Sequence, residues 1–250
     1  MLRSILSIIL IFTGGVAFGQ EGHAFEKGLE HRILAGFNIG GTAPVGFPAT
    51  IRKIESYSPG FSPSLGYELG YRITPKWGAS AAVKLDYKGM TTKDEVMYFP
   101  TIITVQDGAQ KSEFEGTFSG KNKTIVRNAY VTFPLSAVFT PNAKWRFGLG
   151  GYAAWLFSSD FHGTVSDGYI RNGGPLGEKV AISEATFDFG TELRKFDAGL
   201  QGSAARLVGR KLSVVAALSW GLRPVFPSDF KGMDFPMYNI YATLGVGYKI

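Results

Sequence analysis

The chain has 250 residues, of which 45% are hydrophobic and only 18% charged, which gives it too much apolar surface to stay disordered. Its lack of cysteine excludes a disulfide scaffold, a thiolate zinc site, a cysteine nucleophile and a lipidated N-terminal cysteine. A formal net charge of +6 permits nucleic acid or acidic lipid as partners, but the margin is modest and sits in no basic run.

The first element is an export signal. Met1-Leu2-Arg3 is a short basic start, and the apolar stretch from Ile5 to Phe12 is too short to anchor in a bilayer. Ala17-Phe18-Gly19 supplies small residues two apart, the small-x-small shape of a cleavage site. A cleavable signal peptide is therefore expected over 1–19, a short periplasmic segment over 20–29, and one folded unit over 30–250. No later apolar run approaches the ~18 residues of a membrane helix. If the mature protein spans a membrane, it must do so as a barrel.

From there the chain reads with period two. Ile33, Ala35, Phe37 and Ile39 open the series, weakly. Phe61 to Ile73 alternates apolar residues with Ser62, Ser64, Gly66, Glu68, Gly70 and Arg72, and Thr74-Pro75-Lys76 then turns the chain into Trp77 to Lys88. Val131 to Phe139 leads through Pro141-Asn142-Ala143-Lys144 into Trp145 to Phe157. Phe196, Ala198 and Leu200 lead through Gly209-Arg210-Lys211 into Leu212 to Leu222, and Ile240 to Ile250 closes the series. The pattern predicts eight strands in an all-β, antiparallel, up-and-down transmembrane β-barrel. Three short turns alternate with four long connections, near 43–60, 90–123, 159–185 and 223–236. Two places fit poorly: Pro134 removes a ladder donor in mid-strand, and parity slips between Leu193 and Phe196, which suggests a bulge.

A secreted barrel with an inward apolar face would also alternate. The second face, however, is mostly Gly, Ala and Ser, which suits a narrow lumen better than a wet surface. All four Trp share the apolar parity near strand ends, with Trp77 and Trp145 by the short turns and Trp155 and Trp220 towards the long connections, the arrangement of two interfacial girdles. The last strand, apolar and alternating as far as Ile250, is expected to close the ring. Arg32, Glu68, Arg72, Lys84, Asp86, Arg146, Asp197 and Lys249 then face inward as a lumenal charge network, joined by Lys88. Arg32, Arg72, Arg146 and Lys249 fall near the periplasmic end and are expected to pair with Glu68 and Asp197, plugging the lumen instead of lining a pore.

Ala129-Tyr130-Val131-Thr132-Phe133-Pro134-Leu135 resembles the aromatic-x-apolar-Pro-Leu strand of the PorT-like outer-membrane β-barrel family. Phe196-Asp197-Ala198-Gly199-Leu200 is similar to its Asp-x-Gly strand, and Leu69-Gly70-Tyr71-Arg72-Ile73 and Leu244-Gly245-Val246-Gly247-Tyr248 also fit. The likeness covers about residues 30–250. It implies an eight-stranded barrel in the outer membrane of a Gram-negative cell, and its named member assists a protein-secretion system. Ile250 departs from the aromatic residue usual in outer-membrane assembly signals.

Catalysis by a barrel of this kind needs a nucleophile or activated water, usually with a His base and a carboxylate. Of His23, His31 and His162, only the last sits in a suitable cluster, Ser158-Ser159-Asp160-Phe161-His162, and proximity in sequence is not triad geometry. The expected protein is non-enzymatic and needs no metal or cofactor. Its expected partners are outer-membrane lipid and lipopolysaccharide, the outer-membrane assembly machinery, and secretion-system or periplasmic proteins, with no nucleic acid. The alternatives are a barrel enzyme acting on lipid A or peptide, or a narrow pore.

Overall fold

The computed structural model describes residues 28–107, 110–172 and 176–250. The expected signal peptide, most of the expected segment 20–29 and His23 lie outside the described residues. Eleven antiparallel strands are present among them, where eight were expected: β1 (Gly28–Pro44), β2 (Ile51–Pro59), β3 (Pro63–Arg72), β4 (Trp77–Asp107), β5 (Gln110–Asn142), β6 (Trp145–Ser158), β7 (Phe161–Asn172), β8 (Lys179–Asp188), β9 (Phe196–Val208), β10 (Leu212–Gly221) and β11 (Met237–Lys249). No described helix is long and apolar enough to cross a membrane, a fact without bearing on strands.

Hydrogen-bonded ladders run β1–β3, β3–β4, β4–β5, β5–β6, β6–β9, β9–β10, β10–β11 and β11–β1, so the path returns to its start. The register between β1 and β11 holds without a slip from Arg32 opposite Lys249 to Pro44 opposite Met237. The three short turns stand where the sequence placed them, between β3 and β4, β5 and β6, and β9 and β10. Pro134 interrupts the β4–β5 ladder beside Ala82 without changing its register. The expected bulge before β9 is absent. A 3-10 turn over Gly190–Glu192 comes first, and residues 193–195 lead into the strand.

The three additional strands occupy segments read as loops. β4 has 31 residues and β5 has 33, about three times the ~9–11 needed to span a bilayer at a tilt. Their distal halves form a long hairpin, with β2 on one side and β7, then β8, on the other. A bridge between Thr104 and Thr186 connects β8 back to β4.

The two faces of β4 exchange character along its length. Near the short turns Ser80, Lys84, Asp86 and Lys88 are buried inside, while Val83, Leu85 and Tyr87 are exposed outside. Beyond Gly89 the inward residues turn mainly apolar, with Met90, Val96, Phe99 and Ile103 buried beside Asp94 and Thr101, and Lys93 and Glu95 face outward. The outward face of β5 likewise changes from Phe133 and Leu135 to Lys123 and Lys121, while Phe118 and Val126 are buried inside with the polar Asn122 and Thr124. One end of the hairpin thus has its apolar face out and the other has it in, as a strand leaving lipid for water requires. The distal core gathers Phe118, Phe161, Ile170, Ile182, Phe187, Phe189 and Phe226.

Candidate functional site

Parity places every expected lumenal charge inside, and the structure separates them into two layers. At the short-turn end Glu30, which the sequence reading left out, is the hub. Its carboxylate lies 2.9 Å from Arg32, 2.9 Å from Arg72 and 3.2 Å from Lys249. Glu68 holds Arg146 at 3.1 Å and approaches Arg32 at 3.9 Å. Glu30 shares the parity of Arg32, two residues away, and extending the first strand by one turn of the alternation finds it.

Asp197 belongs to the other layer, so its expected pairing with the mouth cations is corrected. Its Oδ2 accepts from Asn239 Nδ2 at 2.9 Å and Tyr152 OH at 3.1 Å, and lies 3.8 Å from Lys88 Nζ. Asp197 sits near the start of β9, whose short-turn end is Val208, and so lies far from the mouth. The Lys88 ammonium also lies over the rings of Tyr130, Tyr152 and Tyr241, 4.8, 5.3 and 5.6 Å from their centroids. Lys84 pairs with Asp86 at 3.2 Å in the same region. A buried ammonium is tolerable only when paired, and here a carboxylate and three aromatic faces replace its water. The tyrosines and Asn239 carry no charge, and parity alone gave no reason to single them out.

Between the layers lies a cavity of about 60 Å3 lined mainly by small residues, among them Ser80, Ser136, Ser203 and Gly245. A second void of about 10 Å3 lies beside Lys88 and Tyr152. A water needs ~10–15 Å3 by this measure, so the lumen has room for a few waters.

The connection 223–236 packs onto the distal core, where Phe226 meets Phe161 edge-on with ring centroids 5.0 Å apart. Val225 and Phe226 are buried, Phe226 stacks on Phe230 at 4.5 Å, and Arg194 binds this segment through hydrogen bonds to the Val225 and Phe226 carbonyls. The Ser158-to-His162 cluster brings His162 Nδ1 to 2.5 Å from Asp160 Oδ1, but among the described residues no hydroxyl is hydrogen-bonded to His162. His31 lies instead against Tyr67. No group of three or more metal-binding side chains is present among the described residues.

Trp77, Trp155 and Trp220 are about half exposed on the outer face, and Trp145 stacks on Phe147 at 5.7 Å. Around them Leu65, Leu85, Leu135, Leu149, Leu200, Leu218 and Leu244 are exposed. An apolar belt of this extent is covered by lipid, because water would drive it to aggregate.

A ring of strands with an apolar outer belt and a charged interior defines an integral membrane β-barrel. Residues 18–227 match the family described as outer membrane protein beta-barrel domain, and the chain belongs to that family. Its location is the outer membrane of Gram-negative bacteria. No curated protein sequence matches the chain. Among solved structures it is similar to Ail, the attachment invasion locus protein of Yersinia pestis in complex with the heparin analogue sucrose octasulfate, at 10% identity and a TM-score of 0.38, covering 90% of this chain and 100% of that one. It is also similar to the outer membrane protein OprG from Pseudomonas aeruginosa, at 11% identity and a TM-score of 0.33, covering 90% of this chain and 97% of that one.

Proposed function

We propose that this protein is a non-enzymatic outer-membrane barrel whose working surface is the folded sheet built from the long connections. In this reading the eight strands of the closed ladder path cross the membrane, the lumen is plugged, and β2, β7, β8 and the distal halves of β4 and β5 form a rigid extracellular platform. That platform binds another component of the envelope or of a secretion assembly, the role that the PorT-like resemblance implies.

The observation that carries this reading is that the long connections are built into a sheet with its own apolar core, while the lumen holds paired charge and the connection 223–236 packs on that core. Binding surfaces are commonly set on loops held by a rigid scaffold, and ordering them beforehand lowers the entropy lost on association. Affinity purification from crosslinked membranes tests it. A partner retained by the wild type and lost on charge reversal at Lys93 and Lys123 supports the platform. Hydrolysis of lipid A or peptide by the purified protein, abolished by His162→Ala, would replace it with a barrel enzyme.

A further inference from the structure

The excess of positive charge that is scattered in the sequence is gathered at one end of the molecule. All three short turns carry exposed cations: Lys76, Lys144, and Arg210 with Lys211. Arg206 is exposed beside the last of these. None of the five has an acidic partner within 4 Å among the described residues. The lumen mouth adds four more cations against only Glu30 and Glu68, the sole described acidic residues at this end. The deeper layer is balanced, Lys84 and Lys88 against Asp86 and Asp197. The distal sheet intersperses Lys93, Lys121 and Lys123 with Glu55, Glu95 and Asp167.

Two of the rim cations lie against outward-facing aromatic rings of the lipid belt. The Arg206 guanidinium is 5.6 Å from the Trp145 ring centroid, and Lys211 Nζ is 5.7 Å from that of Tyr248. Such rings sit at headgroup level, and long cationic side chains beside them extend to the interface. The charge therefore lies in the plane of lipid headgroups, continuous with the lipid-facing surface. Outer-membrane barrels turn their short connections to the periplasm, so the headgroups in question belong to the periplasmic leaflet.

We propose that the short-turn rim binds anionic phospholipid headgroups of the periplasmic leaflet, with Lys76, Lys144, Arg206, Arg210 and Lys211 holding their phosphates. The rim surrounds the base of the barrel on three sides, so it recruits a partial collar of anionic lipid. A soluble acidic protein would have no reason to prefer cations stacked on lipid-facing rings. The proposal rests on the membrane reading and on the periplasmic placement of the short turns. It does not depend on what the distal sheet binds.

The test uses the full mature barrel in nanodiscs of phosphatidylcholine containing a small share of spin-labelled phosphatidylglycerol or spin-labelled phosphatidylcholine. The motionally restricted fraction reports lipid held at the barrel surface. The wild type is expected to favour phosphatidylglycerol by about fivefold for each headgroup held by one cation at low salt, declining as salt screens the charge. The variant Lys76→Gln, Lys144→Gln, Arg210→Gln, Lys211→Gln should lose most of that preference. Lys93→Gln with Lys123→Gln, on the distal sheet, should keep it. Equal association of the two lipids with the wild type, or an unchanged preference in the rim variant, would overturn the proposal. An epitope at Ala143 that labels on intact cells would overturn it through the leaflet assignment, separately from the lipid result. Heat-modifiable gel mobility confirms that each variant is folded.

Discussion

At the residue scale, the buried ion pair of Lys88 and Asp197 has a measurable consequence. Asp197→Ala leaves the Lys88 ammonium among three tyrosine rings without its paired carboxylate, and also removes an acceptor for Asn239 and Tyr152. Loss of one partner of a buried pair costs about 3–5 kcal/mol. Urea unfolding in detergent should show a drop of that order, and an unchanged midpoint would remove the pair from the account of stability. Asp94, in the distal sheet, gives a prediction about pH. Burial pushes its carboxyl above the ordinary carboxylate range, against the opposing hydrogen bonds of Thr92 and Asn122. A raised carboxyl favours the protonated form in the fold. Its stabilising contribution is therefore full below the unfolded value of about 3.9 and lost as pH rises through the folded value. Asp94→Asn keeps a neutral group there and should raise the protease resistance of the distal sheet at neutral pH while reducing its dependence on acid. Equal resistance of wild type and variant at neutral pH would contradict this.

At the scale of elements, β4, β5 and β7 break their regular register at one shared level. Tyr98 adopts a positive φ of 53° where the β4–β5 register shifts, and Asp167 a φ of 51° beside the β5–β7 shift. Between them Gly120 has φ 154°, and a Cβ there would lie 2.7 Å from the Phe118 ring and 2.8 Å from Gly168. Aligned irregularities bend the three strands together, which lets the sheet fold over the apolar core around Phe118. Phe118→Ala should cost about 3–5 kcal/mol in that core. The barrel should persist, so proteolysis is expected to cleave the distal hairpin while heat-modifiable mobility survives. Loss of both together would show that sheet and barrel fold as one unit. The sequence made the membrane portion readable because its outward residues are apolar and its inward ones small. It concealed the distal strands because their faces exchange character beyond Gly89 and the slip at Tyr98 shifts parity, so Lys93, Glu95 and Lys121 read as loop. Parity reached Arg32 and Glu68 but stopped one step short of Glu30. The Lys88 tyrosine cage needed contacts across four strands, which no single segment contains.

At the scale of the whole molecule, whether the lumen is closed decides between the proposed platform and a pore. The proposed plug consists of two obstacles in series. One is the layer of Lys88, Asp197, Asn239 and the three tyrosines, and the other is the connection 223–236, which packs on the distal core through Val225 and Phe226 and in this reading caps the distal mouth. The cavity of about 60 Å3 on the short-turn side of the first obstacle is too small for more than a few waters. The reconstituted wild type is therefore expected to show no steady current in planar bilayers. Lys88→Ala combined with Asp197→Ala removes both charges at once and leaves neither uncompensated, but the covered mouth should still block ions. Excising residues 224–235 alone should likewise fail, since the ion pair and tyrosines remain. Only the two changes together should conduct, with an anion preference set by the excess of cations over Glu30 and Glu68 at the short-turn mouth. Steady anion-selective current through the wild type would show that the lumen is open and that the charged layers line a path. Conductance from either change alone would show a single gate, and identify which of the two it is.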